Sequence, residues 1–279
     1  MRNTLGLVAA LLTVGVVAIS VSAQTSWMSP LQKPGISLEL NKIDMAYPYD
    51  FTFWSSQYSL SARFAFSQNL YGLVELPYSH VNYKYGDYWY EPYIVRIDES
   101  TVGNPYVGFE IAGRERGPFV RFGARLPLAD EDNVYAASFG ALSLIDRQEA
   151  FVPKLITFSA AFGQVVAEAG KYRASYFVGP TLLVPDEGDA ELIADFGAEM
   201  WGEGELVRAG IGYRVRYLLT ESAFSFSRSM EHQFGISTVA NIGSFHPGLH
   251  FRFPLDESYS HNLKMIYGLE LTIDLPAAD

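Results

Sequence analysis

The chain has 279 residues, a formal net charge of −11 and no cysteine. The acidity argues against nucleic acid as a partner, and the absence of cysteine excludes disulfides and thiol chemistry. Aromatic residues make up 15% of the chain, with 18 Tyr and 19 Phe, and Gly or Pro interrupts most windows, so no long helical pattern survives.

Residues 1–23 read as a secretory signal peptide. They have a basic start at Arg2, an apolar run over residues 5–19, and the small-residue pattern Val21-Ser22-Ala23 before Gln24. The alternative is an N-terminal anchor helix, for which the run is short. Residues 24–279 then form one β domain.

From there the pattern is period two. Twelve strands are expected, at 35–43, 53–66, 70–83, 103–113, 118–128, 152–167, 172–184, 190–201, 206–219, 230–240, 245–253 and 262–275. Most are long enough to cross a bilayer as a tilted strand, which takes about 9–11 residues. The links after even-numbered strands are short: Ser67-Gln68-Asn69, Arg114-Glu115-Arg116-Gly117, Glu168-Ala169-Gly170-Lys171, Gly202-Glu203-Gly204-Glu205, and Asn241-Ile242-Gly243-Ser244. The links after odd-numbered strands are longer: 44–52, 84–102, 129–151, 185–190, 220–229 and 254–261. Short periplasmic turns and longer extracellular loops, sorted by parity, describe an outer-membrane barrel, and an even strand count returns both termini to the periplasm. The expected fold class is therefore all-β: a closed antiparallel transmembrane β-barrel of about twelve strands.

The two faces differ sharply. One collects Ile36, Leu38, Leu40, Leu60, Val107, Phe109, Ile111, Phe122, Phe158, Phe162, Tyr176, Val178, Ile236, Leu249, Phe251, Tyr267, Leu269 and Leu271. The other carries the basic groups Arg63, Arg121, Arg125, Arg173, Arg208, Arg214, Arg216, Arg252 and Lys264. With them stand the carboxylates Glu39, Glu75, Glu110, Asp195, Glu199, Glu270 and Asp274, and the histidines His246 and His250. A cation facing lipid at the midplane costs about 2–4 kcal/mol, so the charged face belongs in the lumen. Turning so many apolar side chains outward makes sense only against hydrocarbon, because in water they would form a patch far beyond the usual size. Pairing by parity sets Glu110 opposite Arg121, Glu199 opposite Arg208, and Arg63 diagonal to Glu75. Trp201 falls on the lumen parity, although a strand-end Trp commonly joins the interfacial girdle. Pro77, Pro180 and Pro247 fall within strands and mark expected bulges.

The lumen charges read either as a structural network or as a permeation lining; an excess of arginine would favour anionic or polar solutes. The aromatic stretch Tyr83, Tyr85, Tyr88, Trp89, Tyr90 and Tyr93 is either a stacking surface at the outer mouth or part of the aromatic girdle. Loop 129–151 holds Ala136-Ala137-Ser138-Phe139-Gly140-Ala141-Leu142-Ser143-Leu144-Ile145, too apolar to stand in water, so it enters the lumen, lies on the membrane or folds as a loop helix. No catalytic residue is assigned. A lipid-cleaving barrel needs a serine activated by an oriented histidine, and Ser79-His80 point to opposite faces, while Ser260-His261-Asn262 sits in a loop. His246 and His250 share a face without an evident third ligand, so no metal and no cofactor is expected.

The runs Val74-Glu75-Leu76-Pro77-Tyr78, Gly103-Asn104-Pro105-Tyr106-Val107-Gly108-Phe109-Glu110 and Phe119-Val120-Arg121-Phe122-Gly123-Ala124-Arg125-Leu126-Pro127 resemble a family of outer-membrane transport barrels associated with meta-pathway phenol degradation. The resemblance covers mainly strands three to five. It implies uptake of small, aromatic or hydrophobic solutes and supplies no catalytic residues. The expected role is passive transport through a narrow, charge-lined lumen. The expected partners are outer-membrane lipid, lipopolysaccharide and small solutes, with the protein acting as a monomer in the cell outer membrane. A plugged structural barrel and a lipid-modifying enzyme are the alternatives.

Overall fold

A computed structural model describes residues 33–45, 50–51, 55–86, 94–113, 116–168, 171–220, 230–256, 259 and 263–275. The leader expected at 1–23 lies outside them. The strands are β1 (Gly35–Met45), β2 (Asp50–Phe51), β3 (Ser56–Ala65), β4 (Leu70–Gly86), β5 (Ile94–Val102), β6 (Tyr106–Ala112), β7 (Gly117–Arg125), β8 (Leu155–Glu168), β9 (Tyr172–Pro185), β10 (Glu191–Glu203), β11 (Val207–Leu218), β12 (Met230–Ala240), β13 (Phe245–Pro254) and β14 (Leu263–Asp274). Each pairs antiparallel with its neighbours. β1 pairs with β14 and β4 with β6, so the sheet closes on itself. β5 and β6 together make one stave against the long β4, and β2 only extends the top of β4. The result is a barrel of twelve staves. Closure matters because hydrocarbon offers no partner to a ladder edge.

The side-chain alternation settles which face is which. Leu38, Val107, Phe109, Ile111, Phe122, Phe158, Phe162, Val178, Leu249 and Leu269 stand exposed on the outside, whereas Glu39, Arg63, Glu75, Arg125 and Arg252 are buried within. Trp201 follows its parity inward. It is fully buried beside Val239 and lies over Gly210, where a Cβ would sit 2.5 Å from the indole; only glycine leaves room for it.

Three local expectations change. Glu199 does not face Arg208: its opposite number is Gly212, and Glu203 faces Arg208, because both strands run on past Gly202 and the turn shrinks to Gly204-Glu205-Leu206. Of the three prolines, only Pro77 coincides with an irregular register. Tyr78 pairs with Val102 and Glu75 with Tyr106, which leaves one extra residue in Gly103-Asn104-Pro105, so the bulge sits on the strand opposite the proline. The register runs unshifted past Pro180 and Pro247; near Pro180 the ladder simply skips Ala160 and Ala161. Finally, β5 occupies what reads as loop. Its faces carry Arg96, Asp98 and Ser100 outward and Ile97, Glu99 and Thr101 inward, so it stands above the apolar band, where no alternation of hydrophobicity is required.

Candidate functional site

The long link between β7 and β8 fills part of the barrel. It holds α1 (Val134–Ser143) and a short 3-10 segment, η1 (Ile145–Phe151), whose chain leaves helical geometry at Arg147 (φ −158°, ψ 49°). Ala136, Phe139 and Ile145 pack with Ile43, Val81, Leu263 and Ile266 from β1, β4 and β14. Ala137, Leu144, Ala150 and Phe151 pack on each other. Two of the three readings of the apolar loop hold together: it folds as a helix, and that helix packs inside the lumen.

The β5–β6 stave positions this plug. Glu99 Oε2 accepts the N–H groups of Tyr135 (3.0 Å) and Ala136 (3.3 Å), capping the first turn of α1 with a carboxylate where the helix dipole favours one. At the bulge, the Asn104 N–H donates to Ala150 O at 2.6 Å. Its side-chain amide donates to Glu149 O (2.9 Å) and Val152 O (2.7 Å), and its Oδ1 accepts from Ala129 N (2.8 Å). One fully buried asparagine thus ties both ends of the loop to the wall. Sequence reasoning missed it; the interruption of an alternating strand by Gly-Asn-Pro is the signal that points to it.

Charged groups on η1 then meet the lumen wall on several sides. Arg147 lies 2.9 Å from Glu39, 3.2 Å from Glu75 and 2.9 Å from Asp146. Asp146 also meets Arg252 at 3.1 Å and Arg214 at 3.4 Å. Glu149 meets Arg216 at 2.9 Å and Arg125 at 3.9 Å. Burial alone would raise the Asp146 carboxyl, but Arg147, Arg214 and Arg252 outweigh it and hold the group well below the ordinary carboxylate range.

The other expected lumen residues are placed as follows. Glu110 bridges Arg63 (2.7 Å) and Arg121 (2.6 Å), so Arg63 takes Glu110 rather than Glu75. Glu75 takes Arg125 at 3.0 Å. Arg173 lies 3.6 Å from Glu203. Asp195 receives Arg216 Nε (3.0 Å) and Thr181 Oγ1 (2.6 Å). Glu199 accepts from Ser175 Oγ at 2.7 Å, and Glu270 from Ser37 and Thr272. Arg208 lies 3.3 Å from His246 Nδ1. His246 and His250 belong to separate networks, the first beside Asp274 (3.1 Å) and the second beside Asn41 (2.7 Å). No group of three metal-ligating side chains occurs among the described residues. Lys264 departs from the expectation. A bulge opposite Asp44 and Met45 gives the inward position to buried Leu263 and leaves Lys264 exposed on the other side. Of the aromatic stretch, Tyr83 packs against Tyr135 of the plug, with ring centroids 6.4 Å apart. Tyr85 lies within β4, and Tyr88, Trp89, Tyr90 and Tyr93 lie outside the described residues.

Polar side chains fill the β1, β3, β13 and β14 side of the lumen: Asn41, Gln57, Ser59 and Arg252 are all buried. The opposite side keeps a cavity of about 180 Å³. It exists because Ala161, Gly197 and Gly212 occupy inward positions with little or no side chain. Gly197 also lies against Phe177, whose ring would sit 2.2 Å from a Cβ there. Arg121, Arg125, Arg147, Arg214 and Arg216 line the cavity together with Glu75, Glu110, Asp146, Glu149, Asp195 and Glu199. With the plug seated and Lys264 outside, the arginine excess expected from the strands alone disappears.

The outer face holds one Ser–His contact, His80 Nδ1 to Ser100 Oγ at 2.9 Å across the β4–β5 ladder. Ser79, on the inner face, is buried away from it. His80 and Ser100 form a cross-strand polar pair, and no third group beside His80 is found among the described residues.

No family model and no curated protein matches the chain. Among solved structures, an outer membrane channel from Pseudomonas putida F1 is similar at a TM-score of 0.57 and 11% identity, over 90% of this chain and 98% of that one. LpxR from Salmonella typhimurium (TM-score 0.46, 7% identity, 86% and 99% covered) and the β domain of the Bordetella autotransporter BrkA (TM-score 0.44, 10% identity, 87% and 100% covered) are more distant. At these identities the likeness is one of fold: the chain has the closed antiparallel barrel of outer-membrane proteins.

Proposed function

We propose that this protein is a monomeric channel of the cell outer membrane that passes small polar solutes by diffusion. The observation that carries the reading is the division of the lumen. One side is filled by buried polar side chains, while the other keeps a charge-lined cavity beside η1, inside a wall whose outside is apolar. A barrel built only to anchor a surface loop has no reason to keep Ala161 and Gly212 at inward positions where larger side chains would fill the space. The balanced lining speaks for polar, weakly charged solutes rather than for strong anion selection. The likeness to the Pseudomonas channel agrees with the reading.

Planar-bilayer recording of the purified protein tests it. Discrete conductance steps, with cation and anion permeabilities within a fewfold of each other, support the channel. Silence at all voltages, with no solute entering liposomes, favours the plugged barrel instead.

A further inference from the structure

The cavity walls sort their charges by accessibility. Arg125, Arg147 and Arg216 are engaged in bridges and nearly inaccessible, with side chains 5%, 8% and 8% exposed. Arg121 and Arg214 keep 29% and 27% of their side chains exposed. Each guanidinium is backed by an aromatic ring, Arg121 by Phe119 at 5.8 Å and Arg214 by Phe177 at 5.2 Å, which steadies the group without consuming its N–H donors. Arg121 directs Nε and Nη2 to a single oxygen of Glu110.

The acidic counterpart is Glu199. It accepts a hydrogen bond from Ser175, has the Trp201 indole N–H beside it, and forms no salt bridge among the described residues. Arg214 faces Gly197 and Glu199 faces Gly212, so the two are diagonal neighbours on adjacent strands, about 7–8 Å apart at Cα. Arg214 also reaches Asp146, 3.4 Å away. Two guanidinium groups and a carboxylate therefore face one cavity of about 180 Å³.

The geometry points to a binding site for small zwitterionic solutes, whose anionic end meets Arg121 and Arg214 and whose ammonium end meets Glu199 and the Ser175 hydroxyl. This deepens the channel reading and rests on it for the direction in which the solute travels. A plain anion would satisfy the two arginines but would bring its charge close to Glu199. A plain cation would satisfy Glu199 and meet the two arginines. Only a molecule carrying both charges gains at both ends, a form of selection that works partly by repulsion.

The test uses three probes of matched length at pH 7: 4-aminobutyrate, butyrate and n-butylammonium. Influx into proteoliposomes is measured for the full-length protein and for Glu199→Gln, with Ser175→Ala as a milder second variant. Heat-modifiable migration on gels confirms that each barrel is folded. The expected result is fastest entry of 4-aminobutyrate, with its advantage over butyrate falling at least about fivefold in Glu199→Gln and less in Ser175→Ala. Entry of butyrate as fast as 4-aminobutyrate, or a ratio that Glu199→Gln leaves unchanged, overturns the site. If no probe enters at all, the channel reading fails by itself, and calorimetric titration of the detergent-solubilised protein with 4-aminobutyrate decides the site. Saturable heat lost in Glu199→Gln upholds it, and no heat removes it.

Discussion

Replacing Arg147 with Gln should loosen the plug more than any other single change on η1. The guanidinium is 8% exposed and sits within 3.2 Å of three carboxylates, Glu39, Glu75 and Asp146. Breaking a buried pair by removing one partner costs about 3–5 kcal/mol, mostly because the other charge stays behind. Here the remaining charges are partly covered: Glu75 keeps Arg125 at 3.0 Å, Glu39 keeps Arg252 at 3.8 Å, and Asp146 keeps Arg252. The lower end, about 3 kcal/mol, is therefore the better figure. That energy favours displacement of the plug by about a hundredfold in population. The wall loses nothing comparable, because each strand keeps its ladder. The assay pairs single-channel recording with limited proteolysis of residues 129–154. Arg147→Gln should raise either conductance or open probability and expose the loop to protease, while the folded barrel still migrates as such on gels. Adding Glu39→Gln to Arg147→Gln should recover part of the loss, since it removes a charge that the first change left exposed to burial. If both conductance and cleavage match the unmodified protein, the ionic clamp does not hold the plug and the reasoning fails.

Two more outcomes follow from the same contacts. Asn104→Ala removes three side-chain hydrogen bonds to the ends of the loop, each worth about 1 kcal/mol net; it should raise protease cleavage at residues 129–154 with little change in the far-ultraviolet circular dichroism of the strands, and an uncleaved loop would refute the anchoring role. For Asp146 the folded carboxyl lies below its ordinary value of 3.8, so the stability it lends is complete above that pH and is lost only as the pH falls further. Conductance recorded from pH 7 down to pH 5 should accordingly show no plug release, and an opening transition inside that window would refute the assignment.

The strands were legible because a bilayer imposes one rule on every stave. Leu38, Phe109, Phe158 and Leu269 must meet hydrocarbon while Glu39, Glu110 and Arg63 must not, and parity alone records that. The same rule explains the lapses. β5 stands clear of the apolar band, so Arg96 and Asp98 could take the outward side and the alternation fell silent. Lys264 kept the right parity in the sequence, but a bulge, which parity does not register, reversed its direction. The Glu199 pairing failed by the length of a turn. The ionic contacts of the plug were the largest omission. They join Asp146, Arg147 and Glu149 to strands as much as 108 residues away, and nothing local in Ile145-Asp146-Arg147-Gln148-Glu149 announces them. Across the lumen as a whole, those three residues add two carboxylates and one arginine to the strand set, which is why counting strand side chains alone suggested an anion preference.

The bulge at Gly103-Asn104-Pro105 gives the stopper a second meaning. Where the stave interrupts its own ladder, the peptide group of Asn104 finds its partner in the inserted segment and not in a neighbouring strand. The stopper is thus part of the masonry. Excising residues 129–151 would take away the acceptor of the Asn104 N–H and hand that group to lumen water, so the truncated wall would close around a looser seam at the bulge.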